Sequence, residues 1–474
     1  MNQENNGSAA AGKVASPQQS GTKAYPLDAY SNPSNTQQND EEKSPYYKSA
    51  APSISLPKGG GALKGIDEKF TVNAVNGTAS LQVALPLTPG RSGFTPSLSL
   101  QYNSGSGNSE FGLGWALSLP AIQRKTDKKL PQYNDAGASD VFLLAGAEDL
   151  VLVSSGDETY GSPVVTYHVN TYRPRIEGLF ARIEHITSEG IDGSWWRVTT
   201  KDNIVTYYGL TGTGRVSDPG DDQRIFKWLP QLSYDHKGNM QFYEYIGENL
   251  DSVPVKVHER NRLANPDSFT NTYLKRVKYC NRDPFMDADI DVYYPELPTS
   301  DVFWMEAVLD YDDHKDHDTP PSPPDPNPEA DVLTPTPNQT WPCRKDPFSD
   351  FHAGFELRTY RRCRRILMFH YFREMDTVSD TIAPHLVRSL DMSYHHDDTT
   401  DTYAEADFIT SFIQNGYTEK DGVYVKRSLP AMSMEYQLLE WNTQIQNVSK
   451  EDVKNAPQGL TGAYQWIDLY GEGL

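Results

Sequence analysis

Cysteine is scarce in this chain: Cys280, Cys343 and Cys363 are the only three in 474 residues. Three scattered thiols exclude a disulfide framework, and an odd number leaves at least one free, so folding in a reducing cytoplasm is expected. Long apolar runs are also missing. The longest, Val141–Ala147, falls far short of the roughly 20 residues that a membrane-spanning helix needs. Bases are outnumbered: 43 Lys and Arg stand against 64 Asp and Glu, a net charge of −21. That excess of acid opposes binding to nucleic-acid phosphates and to anionic membrane surfaces. The apolar share is only 37%, so part of the chain is expected to lie outside any core. Residues Met1–Lys13 hold no apolar segment of the kind a Sec signal needs, so export would take another route. Motifs of hydrolytic and redox chemistry are lacking as well: no His-Glu-x-x-His, Gly-x-Ser-x-Gly or Cys-x-x-Cys occurs.

What is present is β patterning behind a polar tail. Residues 1–52 are rich in Asn, Gln, Ser, Ala and Pro and carry few large aliphatics, so a disordered tail is expected. From Ile54 onward apolar residues alternate with polar ones. Phe70, Val72 and Ala74, then Asn76-Gly77, then Leu81, Val83 and Leu85 read as a hairpin, because Asn-Gly suits the positive φ of a tight turn. Trp196, Val198 and Thr200 lead into Lys201-Asp202-Asn203, and Ile204, Thr206 and Tyr208 lead away, giving a second hairpin. Leu229–Tyr234 and Met240–Tyr245 flank Asp235–Asn239 as a third. Helical periodicity is rare, its best stretch being Asp452–Asn455. The expected fold class is mainly β, built of twisted antiparallel hairpins and sheets.

One segment breaks the pattern. Ten prolines fall within the 28 residues from Pro320 to Pro347. Asp310–Asp350 carries ten acids against three bases, a third of the net charge. Proline cannot serve a central ladder and like charges repel, so 310–347 reads as an exposed acidic loop. Deleting Asp310–Pro342 is expected to leave melting nearly unchanged. The last residues, Gly462–Leu474, read as the start of a strand and a Gly-rich turn with no partner strand, as if a following domain were cut. On that expectation Trp466 is exposed, and trimming after about Asn455 improves solubility.

Several clusters invite a chemical reading. The Gly-rich stretch Ser104–Gly114 lies between amphipathic strands and lacks Gly-Lys-Ser/Thr, so it reads as a flexible connection with a tight turn rather than a phosphate loop. His314 and His317 among Asp310, Asp312, Asp313, Asp316 and Asp318 offer metal ligands, but in a solvated loop they would not converge. Asp287-Ala-Asp289-Ile-Asp291 lacks the glycine and terminal glutamate of a calcium loop. His395-His396-Asp397-Asp398 reads as a polar turn. Cys363 sits between Arg361-Arg362 and Arg364-Arg365, where guanidinium groups would lower a thiol pKa. Strand geometry puts Arg361, Cys363 and Arg365 on one face, and pairing with carboxylates accounts for the arginines without catalysis. A β-rich glycosidase would need a convergent carboxylate pair, and none stands out among so many acids. No catalytic, cofactor-binding or metal-binding residue is assigned, and the expected protein is not an enzyme.

These residues, in order, resemble a known family. Ser53–Phe70 with Asn73 and Gly77, Ser97-Leu-Ser-Leu-Gln-Tyr-Asn103 and Phe111-Gly-Leu-Gly-Trp-Ala-Leu-Ser-Leu-Pro120 resemble the start of the Salmonella virulence plasmid B protein domain. Trp228, Tyr234-Asp235, Gly238-Asn239, Tyr273–Val277 and Asp346-Pro-Phe-Ser349 continue the match. Gly354–Tyr360, Arg365–His370 and Tyr464–Gly473 look like the B component of tripartite insecticidal toxin complexes. The resemblance covers about residues 53–474 and implies a β-rich building block of 53–457, followed at 458–474 by the first residues of a β-propeller-like domain. It also implies assembly with the C component and with the pore-forming A component, in a secreted toxin complex whose hollow Rhs-type shell holds a toxic polypeptide. Tyr234–Asn239 is similar to the Tyr-Asp repeats of such shells. The alternative it implies is a delivery or adhesion module, as attached to an actin-modifying ADP-ribosyltransferase. No Ser-Thr-Ser strand with a downstream Glu-x-Glu pair is found here, so that activity is not carried over.

Overall fold

The computed structural model describes residues 69–72, 77–436, 449, 451 and 454, with interior gaps at 136, 138, 147, 162, 286–291, 315–328, 331–333, 338, 373–381, 398–405 and 421–422. The expected tail 1–52, the helix Asp452–Asn455, the Asp287–Asp291 stretch and Trp466 lie wholly or mostly outside the described residues. A compact unit ends at Ser433, and a short second unit begins at Met434. In the latter, Tyr436 Oη lies 3.7 Å from Met434 Sδ.

Strands dominate, as the alternation requires. β1 (Lys69–Val72), β2 (Ala79–Ala84), β3 (Ser99–Asn103) and β4 (Trp115–Leu117) form an antiparallel sheet in sequence order. Val72 pairs with Ala79, so the first hairpin is joined by residues 73–78, a longer connection than a two-residue Asn-Gly turn. Gly77 does take positive φ, +73°.

A ring of strands follows: β5 (Ile122–Arg124), β6 (Phe142–Leu144), β7 (Glu148–Tyr160), β8 (Val165–Pro174), β9 (Arg182–Ser188), β10 (Ile191–Thr199) and β11 (Val205–Tyr208) pair as antiparallel neighbours. β12 (Arg215–Asp218), β13 (Asp221–Trp228) and β14 (Pro230–Tyr234) complete it. β13 and β14, parted only by Leu229, act as one bent strand. β13 pairs with β5 while β14 pairs with β11, so the barrel closes. At the bend, Gly209 N–H donates to Leu229 C=O at 2.8 Å, and Leu229 N–H donates to Gly214 C=O at 2.8 Å.

β10 shows why this segment is so aromatic. Successive side chains point to opposite faces of a strand. Trp196 and Val198 pack inside the ring with Ile122, Phe142, Ile183, Ile225 and Trp228. Trp195 faces the other way, into a second cluster with Tyr167, Ile186, Tyr207, Leu232 and Phe242. Both faces are buried, so the period-two reading captured only half of the strand.

The sheet continues from β14 through β15 (Met240–Gly247). After the five-residue helix α1 (Arg260–Ala264) come β16 (Phe269–Thr270), β17 (Thr272–Asn281), β18 (Phe303–Asp310), β19 (Glu329–Ala330), β20 (Phe348–Asp350) and β21 (Glu356–Thr359). The last members are β22 (Arg365–His370), β23 (His385–Tyr394), β24 (Ile409–Lys420), β25 (Val423–Ser428) and β26 (Met432–Ser433). β15, β17, β18, β22, β23, β24 and β25 pair in that order, while β16, β21 and β20 form a separate small sheet. The second and third hairpins fall at β10–β11 and β14–β15 as the sequence predicts. In the latter, the Asp235 carboxylate accepts from the Lys237 and Asn239 N–H groups at 2.8 and 3.0 Å, and Gly238 has φ +75°.

The ends of the acidic proline-rich segment are not exposed as expected, while residues 315–328, 331–333 and 338 lie outside the described residues. Asp310 and His314 are fully buried, and Asp313, Trp341, Arg344 and Asp346 nearly so. Glu329–Ala330 even adds a short strand to β25. Its described prolines, Pro335, Pro337, Pro342 and Pro347, stay out of the ladder; Asp310, Asp313 and Asp346 go inside because buried cations meet them. Deleting Asp310–Pro342 would therefore strip packed groups from the core.

A histidine inside the ring sets one pH dependence. His185 stacks on Trp196 at 4.4 Å between centroids and meets Trp228 and Phe142 at 5.7 and 5.6 Å. Burial pushes its pKa down to about 4, with Arg124 adding to the effect and Asp135 opposing it. Its Nε2 has no hydrogen-bond partner. The unfolded chain therefore takes up this proton first, so stability is full above the unfolded pKa near 6.5 and falls as pH drops toward 4. The loss amounts to about 3 kcal/mol. His185→Phe is expected to flatten the urea-midpoint profile between pH 6.5 and 4.5. An unchanged slope would show that His185 is not the group responsible.

Candidate functional site

The densest run of like charge, Arg361–Arg365, bridges β21 and β22. The segment before Arg365 is irregular rather than a strand, so one shared face is not formed. Each guanidinium finds its own carboxylate. Arg361, fully buried, donates from Nε to Glu248 Oε1 at 2.8 Å. Its Nη1 donates to the carbonyls of Asp251, Trp341 and Pro342, and Nη2 to both oxygens of Asn249. The guanidinium also lies 4.5 Å from the Trp341 ring centroid. Glu248 in turn accepts from Tyr273 Oη at 2.6 Å and Tyr360 N–H at 2.7 Å. Arg362 bonds Asp407 and, at 2.7 Å, Asp397, with its guanidinium 4.3 Å from the Tyr394 ring centroid. Arg364 reaches Asp312 at 3.6 Å. Arg365 donates to Asp310 at 2.6 Å and to the His314 carbonyl at 3.1 Å.

Cys363, at the centre of this run, is fully buried, and burial together with Asp310 and Glu110 pushes its thiol well above the ordinary value. The flanking guanidiniums are engaged by carboxylates and do not offset that rise. Cys343 is likewise raised by burial, to about 11.

Two buried groups have the composition of a metal site: Asp310, Asp313 and His314, and Asp346, His396 and Asp407. In the first, His314 Nδ1 lies 3.2 Å from Asp310 Oδ1 and 3.1 Å from Asp313 Oδ1. Lys275 Nζ donates to both Asp313 oxygens at 2.8 Å. Burial opposes the Asp310 charge, but His314 and Arg365 outweigh it and hold the carboxyl below its usual range. Burial also opposes charge on His314, yet its bonds to Asp310 and Asp313 raise its pKa. In the second group, Arg344 forks onto Asp346 through Nε and Nη2, both at 2.8 Å, while Arg362 holds Asp407. Protein cations thus stand where a metal ion would. Zinc or EDTA is expected to leave the melting temperature unchanged. A zinc-dependent rise of several degrees would show that a metal displaces Lys275 or Arg365.

The Gly-rich stretch is tied into the same hub. Arg344 donates to the Ser109 carbonyl at 2.6 Å and to Asn108 Oδ1 at 3.1 Å. Leu113 N–H donates to Asp407 C=O at 2.7 Å, and Cys363 N–H to Glu110 C=O at 2.8 Å. Residues 108–112 of this connection between β3 and β4 are packed, while Ser104–Gly107 are exposed. Gly112 is needed there: at φ +86°, a Cβ would lie 2.8 Å from the Asp407 carbonyl oxygen. His395–Asp397 forms a short 3₁₀ turn, with His396 buried. His317, Asp316, Asp318 and Asp398 lie outside the described residues. Sequence reading missed Lys275 and Glu248 because their partners are remote in the chain, and missed that Arg344 reaches Asn108 and Ser109 for the same reason. Their one signal was an unusual number of charged residues within strongly β-patterned segments.

This arrangement is that of a cross-linked β scaffold whose buried charges serve its own packing. The family model "Salmonella virulence plasmid 65kDa B protein" matches residues 73–372, and the chain belongs to this family. Among curated proteins, the mono(ADP-ribosyl)transferase SpvB of Salmonella choleraesuis is 34% identical over 349 residues, covering 71% of this chain and 54% of the relative. The chain thus spans about half the length of the curated relatives it matches. Among solved structures, TcdB2–TccC3 superposes on 81% of this chain and 17% of its own, with a TM-score of 0.68 and 29% identity. The N-terminal domain of effector protein SpvB from Salmonella typhimurium strain LT2 covers 75% of this chain and 98% of its own, at 0.53 and 29%. The mainly β, antiparallel fold and the family resemblance are therefore as expected. The fold supports a structural or delivery role. Among the described residues no helix is long and apolar enough to cross a membrane.

Proposed function

We propose that this chain is a non-enzymatic structural module of a secreted bacterial toxin complex. In this reading residues 53–457 act as the N-terminal part of a B component. They help build, with a C component, the Rhs-type shell that holds a toxic polypeptide, and they contribute to its link with the pore-forming A component. The observation that carries the reading is the superposition of four-fifths of the chain on TcdB2–TccC3 at a TM-score of 0.68. The hub supports it, since its arginines and carboxylates are engaged with one another rather than with an open cleft. Mixing the protein with its cognate C component and an A pentamer is the test. Co-elution with either supports the proposal; a longer version that joins neither sinks it.

A second reading rests on the 98% coverage of the SpvB N-terminal domain. There the module would accompany an ADP-ribosyltransferase as a delivery or adhesion unit. A neighbouring reading frame encoding a transferase would favour it, and one encoding propeller and Rhs repeats would favour the first.

A further inference from the structure

β7 is 13 residues long, yet only its start has a neighbour on each side. β6 pairs with Glu148–Leu150; from Val151 to Thr159 the partner strand is β8 alone among the described residues. Residues 151–159 are all exposed. Val151, Leu152 and Val153 keep 42, 45 and 54% of their surface in solvent, on both faces of the strand. Such an edge presents a row of free backbone donors and acceptors, and native proteins normally guard it with lysine, proline or a covering element. Glu148–Tyr160 contains neither lysine nor proline. Its charges beyond Val153 are the carboxylates of Glu158 and of Asp157, the latter 2.8 Å from His168 Nδ1 on β8.

Those features describe the missing neighbour. An added strand gains affinity from the main chain and specificity from alternate side chains. We propose that the outer edge of β7 docks one extended strand of the companion shell polypeptide, aliphatic opposite Val151–Val153 and bearing lysine or arginine opposite Asp157–Glu158. The inference rests on the shell reading above, in which this chain corresponds to only 17% of the longer neighbour chain, leaving many strands to other segments. A second copy fits poorly. A full-length antiparallel self-pair sets Val153 against Asp157 or Glu158, and a register that joins the aliphatics leaves Glu158 without an opposite cation. The net charge of −21 adds repulsion between copies.

Hydrogen exchange on the full 474-residue chain, alone and with the C component encoded in the same genome, tests this. Alone, the outward amides of 151–159 should exchange within seconds; in the complex they should slow at least tenfold. V151K/V153K should weaken the complex at least tenfold with an unchanged melting temperature, since both side chains are already solvent-exposed. Protected amides in the free chain, concentration-dependent dimers that protect them, or a complex of wild-type affinity in the variant would each overturn the edge proposal alone. Failure of any complex to form overturns the shell reading with it.

Discussion

Replacing Arg361 by methionine is expected to cost about 3–5 kcal/mol, enough to unfold a chain of ordinary stability at modest urea. The guanidinium is fully buried and supplies hydrogen bonds to Glu248, Asn249 and three further carbonyls. Methionine fills part of the volume but leaves Glu248 buried with one cation fewer. The buried Trp341 carbonyl would also lose a donor. Arg364→Met is the comparison, because that side chain is 36% exposed and its ion pair is long. It should cost less than about 1 kcal/mol. Equal urea midpoints for the two variants would refute the idea that the run is anchored chiefly through Arg361.

A second large loss is expected from Gly209→Ala. Gly209 has φ +69°, and a Cβ there would sit 2.4 Å from Trp228 Cδ1. Left-handed backbone costs a non-glycine residue about 1–2 kcal/mol. Trp228 cannot retreat: it is fully buried, and its indole N–H donates to Ser194 C=O at 2.8 Å. Overpacking adds about 1–3 kcal/mol, for a total of about 2–5. Gly77→Ala separates strain from clash, since Gly77 shares the sign of φ but a Cβ there meets nothing within 4 Å. Near-ultraviolet circular dichroism should change for Gly209→Ala and not for Gly77→Ala. Matching spectra and midpoints would mean the ring tolerates a side chain at its seam.

Much of the fold could be read from residues alone, because alternation and turn chemistry are local. The hairpins at Lys201-Asp202-Asn203 and Asp235–Asn239 depend on neighbours within a few positions, and both form. Closure of the ring was not legible. It depends on a bend at Leu229, which lets one strand serve β5 and β11, and no periodicity marks that. The hub was half legible. Carboxylate partners for the arginine run follow from charge balance, but which carboxylates does not. Asp310 pairs with Arg365 across 55 positions and Glu248 with Arg361 across 113. The same remoteness made Asp310 and His314 read as solvated: acids beside prolines look wet until the cations that neutralise them are known.

The two halves of the structure differ in how far along the chain their contacts reach, and this sets a timetable. Within the ring, hydrogen-bonded strands are close in sequence apart from the closing pair of β5 and β13. The first sheet instead fastens to the far end: Asn108 bonds Asp346 across 238 positions and Thr88 bonds His370 across 282. Closing such long loops is slow, and rates fall as contacts become less local. A nascent chain would have its ring emerged and paired while β1–β4 still waited for Arg344 and His370 to be made. Pulse-labelled refolding should protect β8–β11 amides before those of β2 and β3; simultaneous protection would mean that the whole unit folds as one step.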